Sequence, residues 1–139
     1  MNNTSLKVSY FNKYSGWLAI DKEVGISSAK VVHKVKKLMN LKKVGHAGTL
    51  DPLASGVLPI ALGEATKTMK YVMSSNKSYE FDINWGIGTE TEDLEGRIIN
   101  TCDIRPSITE IITALPHFQG IIRQRPPSYS AVKIDGVRS

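Results

Sequence analysis

GHAGTLDPLASGVLP, residues 45–59, contains a single carboxylate, Asp51, in an otherwise apolar and conformationally restricted setting. Three glycines allow the backbone to approach a partner closely, and Pro52 and Pro59 restrict the backbone dihedral angles. We therefore predict an ordered loop over residues 45–59 that can place one side chain accurately. An aspartate before a proline ordinarily caps a turn, so the segment alone leaves the role of Asp51 open.

An amphipathic helix is predicted directly upstream, beginning at Ser27 or Ser28 and ending near Asn40. A serine hydroxyl at this point can accept a hydrogen bond from the free amides of the first turn. Apolar side chains recur at a spacing of 3.6 residues and define one face of the helix: Val31, Val32, Val35, Leu38 and Met39.

Positive charge is concentrated in the same segment, since no acidic residue occurs from Val24 to Leu50. The lysines of this basic block are Lys30, Lys34, Lys36, Lys37, Lys42 and Lys43. Outside the block the chain has 12 basic and 13 acidic residues, so the net charge of +5 resides here. Such a block is typical of a protein that binds a phosphate backbone, although a solvated helix face has the same composition. With His46 between two glycines, the pattern favours a site that presents Asp51 to an anionic polymer.

The remaining elements are predicted from short apolar or alternating runs. Helices are expected over residues 63–73 and after Ser107, which forms a capping-box pattern with Glu110. Strands are expected over residues 17–20, 78–88, 97–102 and 129–134. The run 78–88 alternates cleanly and predicts a half-buried strand, whereas residues 89–96 form an acidic loop. The mixture predicts the α+β class.

Several classes of protein are disfavoured by composition. The sequence contains no run of about 18 apolar residues, so no membrane span is expected. The polar N-terminus lacks the apolar segment of a signal peptide, so a cytoplasmic location is expected. A single cysteine, Cys102, forms no internal disulfide and supplies no zinc cluster. The chain also lacks the G-x-x-x-x-G-K-[ST] pattern of a nucleotide-phosphate loop.

Four stretches resemble the tRNA pseudouridine-55 synthase family. GHAGTLDPLASGVLPIALGEATK (45–67) is similar to the active-site signature of that family, and LAIDKEVGISS (18–28) to the segment that opens its catalytic domain. NKSYEF (76–81) resembles its tyrosine-bearing strand, and PPSYSAVKIDGVR (126–138) resembles a later stretch. The resemblance runs from about Gly16 to the last residue. It implies a mixed, largely antiparallel sheet flanked by helices, which is the pseudouridine synthase fold.

The resemblance also implies an activity. Members of the family isomerise a uridine in the T arm of tRNA to pseudouridine, by breaking the N1–C1′ bond and joining C5 to C1′. This reaction is neither redox nor hydrolytic, so we expect no metal and no organic cofactor. The expected partner is tRNA through its T-arm stem-loop, with no membrane and no obligate protein partner. Asp51 aligns with the catalytic aspartate, and three roles stay open: attack on C6 of the base, attack on C1′ of the sugar, or abstraction of a sugar proton.

Further site residues follow from the same resemblance. Tyr79 aligns with the tyrosine that stacks on the target uracil. A flipped base needs an aromatic face to replace the stacking that it has lost, and the tyrosine hydroxyl is also a candidate base. Its place beside Phe81 and Trp85 on one strand face also fits an ordinary core residue. His46 aligns with a histidine that contacts RNA, and Asp93 with an aspartate near the active site. Candidate contacts to the RNA backbone are Lys30, Lys34, Lys36, Lys37, Lys42 and Lys43. Lys22 and Lys67 are candidates for either an RNA phosphate contact or a structural contact.

The family's catalytic domain continues beyond the length of this chain. The continuation supplies a basic partner for the aspartate, a second tyrosine and further strands, and most members add a small C-terminal RNA-binding domain. We therefore expect residues 14–139 to be the N-terminal part of a catalytic domain, preceded by a flexible tail of residues 1–13. The turn pair Asp135-Gly136 ends a strand for which no returning strand is expected, so the sheet should be incomplete. The alternative function is a non-catalytic RNA-binding module; a two-carboxylate glycosidase is disfavoured because no second acid lies near Asp51 in the sequence.

Overall fold

The structure, a computed structural model, describes residues 14–123 and the backbone of residues 133–134 and 137–138. The predicted tail of residues 1–13 and most of the predicted strand 129–134 lie outside the described residues. The chain divides into two compact units, Met1–Ser78 and Tyr79–Ser139, and each is described by itself. The interpretation of residues 14–139 as part of one catalytic domain stays a prediction.

The first unit is built on one antiparallel sheet. Its elements, in chain order, are β1 (Gly16–Lys22), α1 (Ser28–Leu38), β2 (Val44–His46), β3 (Gly56–Leu62), a 3₁₀ helix (Gly63–Thr68) and α2 (Met69–Met73). The strand order is β1–β3–β2, so β3 is the central strand. Gly16 pairs with Leu62 along β1, and His46 pairs with Ile60 along β2.

A small apolar core lies between α1 and the sheet. Its buried side chains are Val31, Val35, Leu41, Leu58, Ile60 and Leu62. Ser27 caps α1 by accepting a hydrogen bond from the amide of Lys30 at 3.3 Å, and the predicted helix and its cap are confirmed. Leu38, which the sequence places on the apolar face, is not buried: it is the last residue of the helix and its side chain is 84% exposed.

The predicted loop 45–59 is a shorter loop between two paired strands. Gly45 and His46 belong to β2, and residues 56–59 belong to β3. Pro59 is predicted to lie in the loop because its ring restricts the backbone, yet it occupies the central strand, where proline is unusual. It is tolerated there because β2 ends opposite it: the Ala47 amide donates to the Pro59 carbonyl at 2.9 Å, and the reciprocal bond, which would need a proline N–H, is not required.

The described residues of the second unit form two short antiparallel strand pairs, one α-helix and one 3₁₀ helix. Its elements are β4 (Ile87–Thr89), β5 (Ile98–Thr101), α3 (Ile108–Ala114), a 3₁₀ helix (Leu115–Phe118), β6 (Lys133–Ile134) and β7 (Val137–Arg138). β4 pairs with β5, and β6 pairs with β7 around residues 135–136. The expectation that no strand returns after this turn is therefore wrong. The capping box of α3 is confirmed, since Ser107 and Glu110 exchange backbone and side-chain hydrogen bonds.

The predicted strand 78–88 is wrong over most of its length. Only its last two residues belong to β4, and the described residues before them form neither a helix nor a strand. Alternation of apolar and polar side chains favours a strand only where another strand satisfies the backbone amides and carbonyls, and no described strand pairs with residues 78–85. The α+β class and the antiparallel pairing are nevertheless confirmed, as is the predicted strand 97–102 in the form of β5.

Candidate functional site

The candidate site begins with the loop that joins β2 to β3. Asp51 lies in this loop with its side chain exposed, and the amide of Ala54 donates to its backbone carbonyl at 3.1 Å. Within the part of the chain that the structure describes, no ion pair involves its carboxylate. The carboxylate is therefore accessible from solvent, and its role as a nucleophile stays a prediction.

The residues before and after Asp51 are held by hydrogen bonds to the segment that precedes α1 and to its first turn. The Ser28 hydroxyl donates to the Leu50 carbonyl at 2.8 Å and accepts from the Leu50 amide at 3.0 Å. The Gly25 amide donates to the Pro52 carbonyl at 2.7 Å. The backbone on both sides of the aspartate is therefore held to the start of α1 and to the turn before it.

His46 lies at the end of β2, at the start of the same loop. Its Nδ1 is 2.6 Å from the carbonyl oxygen of Gly48, and because a carbonyl only accepts, Nδ1 must carry the proton of this hydrogen bond. The neutral ring then presents Nε2 as an acceptor. Gly48 has a φ angle of +128°, a conformation that favours glycine, so this tight contact depends on the residue type at position 48.

Gly45 has a packing role that the sequence did not predict. A Cβ atom at this position would lie 2.9 Å from the Met69 sulfur, so the glycine makes room for the methionine side chain. The presence of a glycine here therefore does not require an external partner that approaches the backbone closely. Packing against the first residue of α2 is sufficient to explain it.

The lysines of the basic block differ in their surroundings. Those predicted on α1 and just after it are exposed: Lys30, Lys34, Lys36, Lys37 and Lys42. Lys43 and Lys67 are also exposed but pair with Glu64, at 3.6 and 2.5 Å. The hydrogen bond and charge of Lys67, with a further contribution from Lys43, lower the pKa of the Glu64 carboxyl below its ordinary value of 4.5.

Lys22 does not belong with the exposed lysines. It is 1% exposed, and its ammonium group donates to the carbonyls of Glu23 at 3.0 Å and Ile26 at 2.8 Å. A buried ammonium group that is bonded to internal carbonyls is not available to an RNA phosphate. The predicted contact between Lys22 and the RNA backbone is therefore corrected to a structural role in the turn before α1.

The second unit carries the other two predicted site residues. Tyr79 is 69% exposed and lies outside any helix or strand, so the strand that was expected to orient it is not formed. The Asp93 carboxylate accepts hydrogen bonds from the Thr91 hydroxyl at 2.5 Å and from the amides of Glu95 and Gly96 at 2.8 and 3.2 Å. These bonds, that of Thr91 first, lower the pKa of the Asp93 carboxyl. They give it a role in closing its own turn.

Two residues that hold the aspartate loop were missed by the sequence reasoning. The sequence indicates only a helix cap at Ser28 and a turn at Gly25, because bonds to Leu50 and Pro52, 22 and 27 residues away, leave no local pattern. The sequence did contain one signal, the second serine: because Ser27 already caps the helix, Ser28 in the first turn is not needed as a cap. Such a hydroxyl is a candidate for a distant contact.

Two kinds of site are absent from residues 14–123 and the two short strands near the end. The described residues contain no group of three or more His, Cys, Asp or Glu side chains placed to bind one metal ion. In the same part of the chain, no helix has both the length and the apolar character needed to cross a bilayer.

Comparison with known proteins identifies the family. Residues 36–139 match the model of the TruB family pseudouridylate synthase (N terminal domain). The "tRNA pseudouridine synthase B" of Ehrlichia chaffeensis is 57% identical over 124 residues, which cover 89% of this chain and 42% of the relative. That of Rhodospirillum rubrum is 56% identical, over 89% of this chain and 40% of the relative. The chain thus spans about two fifths of the length of these curated relatives.

One solved structure supports the fold as well as the sequence relationship. In "Crystal Structure of a Cbf5-Nop10-Gar1 Complex", the matched chain is 32% identical with a TM-score of 0.57, over 85% of this chain and 31% of that one. The match extends over most of the chain, and the family model covers the loop that holds Asp51. The chain therefore belongs to the TruB family of pseudouridylate synthases.

Proposed function

We propose that this chain supplies the catalytic aspartate of a tRNA pseudouridine synthase and that Asp51 is the nucleophile. One observation carries the proposal: an exposed carboxylate lies on a loop whose backbone is held on both sides by hydrogen bonds of 2.7 to 3.0 Å. A surface aspartate that only capped a turn would not need such support. The names of the relatives agree with this activity.

The proposed reaction rearranges bonds within one nucleotide. The N1–C1′ bond of uridine breaks, C5 bonds to C1′, the C5 proton leaves to solvent, and N1 gains a proton. No electrons are gained or lost overall. A carboxylate can support this sequence by attacking C6 of the base or C1′ of the sugar and leaving again, or by removing a sugar proton. We propose covalent attack, because the loop fixes the backbone around the carboxylate as a nucleophile requires.

RNA binding is proposed to occur over the exposed lysines of α1 and the residues after it. These lysines can neutralise phosphates and release counterions, so binding should weaken as salt rises. His46 is proposed to contact the target nucleotide through Nε2, and Tyr79 to stack on the uracil after it leaves the helix. Asp93 is proposed to act indirectly by shaping its turn near the site. The T arm of tRNA is the proposed substrate, and this implies a cytoplasmic location; the absence of a protein partner stays a prediction.

The test is conversion of uridine to pseudouridine in a T-arm stem-loop RNA. It is run on this chain and on a fusion in which the remaining length of the Ehrlichia chaffeensis relative follows it, so that length is controlled. Asp51→Asn should lower kcat by at least about a thousand-fold. The matched control is Asp21→Asn, which alters an exposed carboxylate of β1 in the same unit and should leave kcat unchanged. Product formation by Asp51→Asn at the wild-type rate would refute the nucleophile.

A second function is favoured by one observation, the exposed basic face of α1. A non-catalytic RNA-binding module would use this face and would not need the carboxylate. It predicts that both the chain and the fusion bind the stem-loop in a salt-dependent manner, that neither forms product, and that Asp51→Asn leaves the affinity unchanged. Product from either protein excludes it.

A further inference from the structure

We propose that Ser28 is a positioning residue for Asp51, acting through the backbone of Leu50; this inference rests on the proposed function. The Ser28 side chain lies in the first turn of α1 and is 2% exposed. Its hydroxyl touches the residue immediately before the proposed nucleophile. It does not itself meet the substrate in this role.

The hydroxyl of Ser28 satisfies both backbone groups of Leu50. It donates to the carbonyl at 2.8 Å and accepts from the amide at 3.0 Å, so one side chain replaces the two partners that a strand would supply. Leu50 lies in the loop, where no strand pairing is available to it. A partly buried peptide group without partners carries a free-energy penalty, and the two bonds from Ser28 remove it.

A second bond fixes the other side of the aspartate. The Gly25 amide donates to the Pro52 carbonyl at 2.7 Å, and Gly25 adopts a φ angle of +87° that glycine accommodates. The turn that contains Gly25 is itself held by the buried ammonium group of Lys22. Asp51 therefore lies between two residues whose backbone is hydrogen-bonded, Leu50 to the first turn of α1 and Pro52 to the turn before it.

This arrangement matters because covalent attack depends on accurate placement. A displacement of about 1 Å at a reacting group can lower the rate about a hundred-fold without changing the chemistry. Loss of the Ser28 hydroxyl would release Leu50 and let the aspartate sample a wider range of positions. Substrate affinity depends on the exposed lysines and should be unaffected. The expected signature is therefore a fall in kcat with an unchanged KM.

The experiment compares two neighbouring serines. Ser28→Ala removes both bonds to Leu50, whereas Ser27→Ala removes the cap of α1 and leaves those bonds in place. In this chain, amide hydrogen exchange of Leu50 should accelerate at least about ten-fold in Ser28→Ala relative to Ser27→Ala at matched fractions of folded protein. In whichever of the chain and the fusion forms product, Ser28→Ala should lower kcat about 10- to 100-fold at constant KM. Ser27→Ala should change kcat less than two-fold.

The outcomes separate this inference from the proposed function. If Asp51→Asn is inactive while Ser28→Ala keeps the wild-type kcat, the nucleophile stands and the positioning role is refuted. If Asp51→Asn keeps full activity, the proposed nucleophile fails and the positioning role fails with it. Should Ser28→Ala not fold, Ser28→Cys keeps the side-chain shape with weaker hydrogen bonds, and a kcat equal to that of wild type would again refute the role. A fall in kcat with faster Leu50 exchange supports it.

Discussion

α1 and α3 begin in the same way and end in different environments. Each helix is capped by a serine, Ser27 or Ser107, whose hydroxyl accepts from a first-turn amide. α1 buries Val31 and Val35 against the sheet of the first unit. α3 leaves Ile108 76% exposed. The same local signals thus form both helices, but in the described residues only the first becomes part of a core.

The difference shows what local sequence can and cannot determine. Capping and periodicity are enough to form a helix, whereas a fixed position requires burial against another element. The backbone around Asp51 is fixed in position, because its neighbours are bonded to the segment that begins α1, the helix that packs on the core. Tyr79 lies in an exposed stretch without a helix or strand, so the described part of its own unit gives it no comparable support.

The largest expected contrast is in stability. Ile60→Ala removes a fully buried side chain from the central strand and should lower the free energy of unfolding by about 2–5 kcal/mol. Ile112→Ala in α3 removes a side chain that is 61% exposed and should change it by about 0.5 kcal/mol or less. Urea denaturation of the full chain, followed by circular dichroism, measures both. Equal effects of the two substitutions would contradict the contrast between the units.

A smaller contrast is expected between a buried and an exposed lysine of the first unit. Lys22→Met leaves the carbonyls of Glu23 and Ile26 without their donor and should cost about 1–3 kcal/mol of stability. Lys30→Met, on the exposed face of α1, should leave stability within about 0.5 kcal/mol and weaken RNA binding instead.

The measurements are thermal melting and the salt dependence of stem-loop affinity. Lys30→Met should reduce the slope of log affinity against log salt concentration by about one, because one phosphate contact is lost. Lys22→Met should leave that steepness unchanged in the folded protein. A Lys22→Met variant with wild-type stability and weakened RNA binding would restore the original prediction that this lysine contacts the RNA backbone.

The smallest contrast concerns one carboxyl group from each unit. The pKa of Glu64 is lowered chiefly by Lys67, and the pKa of Glu110 chiefly by the backbone amide of Ser107, both from the ordinary value of 4.5. Because each pKa is lower in the folded state, each group contributes stability that is present above pH 4.5 and is lost as the pH falls through the folded pKa. The contribution of Glu64 depends on a charge, whereas that of Glu110 depends on neutral donors.

Salt should therefore distinguish the two groups. In about 1 M salt the pKa of Glu64 should rise towards its ordinary value, and the pKa of Glu110 should move less. Carbon-detected NMR titration of the two carboxyl groups measures this, with Lys67→Met expected to reproduce the effect of salt on the pKa of Glu64. A pKa of Glu110 that rises with salt as much as that of Glu64 would contradict these causes.

Much of the first unit was predictable from the sequence. The 3.6-residue spacing and the serine pair predicted α1 and its first residue, and the run that begins at Trp17 predicted β1. The exposed Asp51 followed from its setting and from the family resemblance. These features are local, so that neighbouring residues are sufficient to specify them.

The errors arose where a distant partner decides the outcome. β3 was read as a loop, because Gly56 and Pro59 ordinarily interrupt strands, and only the pairing with β1 shows otherwise. The alternating run 78–88 was read as a strand, although in the described residues no partner pairs with most of it. The contact of Ser28 with Leu50 joins two segments that no periodicity connects. In each case the missing information was which segments meet.

Pro59 has a consequence for how the first unit folds. Sliding β2 by two residues would set Gly45 opposite the proline, and the hairpin would lose an interior hydrogen bond, at a cost of about 1 kcal/mol. Sliding it by one residue would exchange the inner and outer sides of the strand. The proline thereby selects against misaligned hairpins during collapse. It favours the observed register, in which His46 pairs with Ile60 at the end of β2.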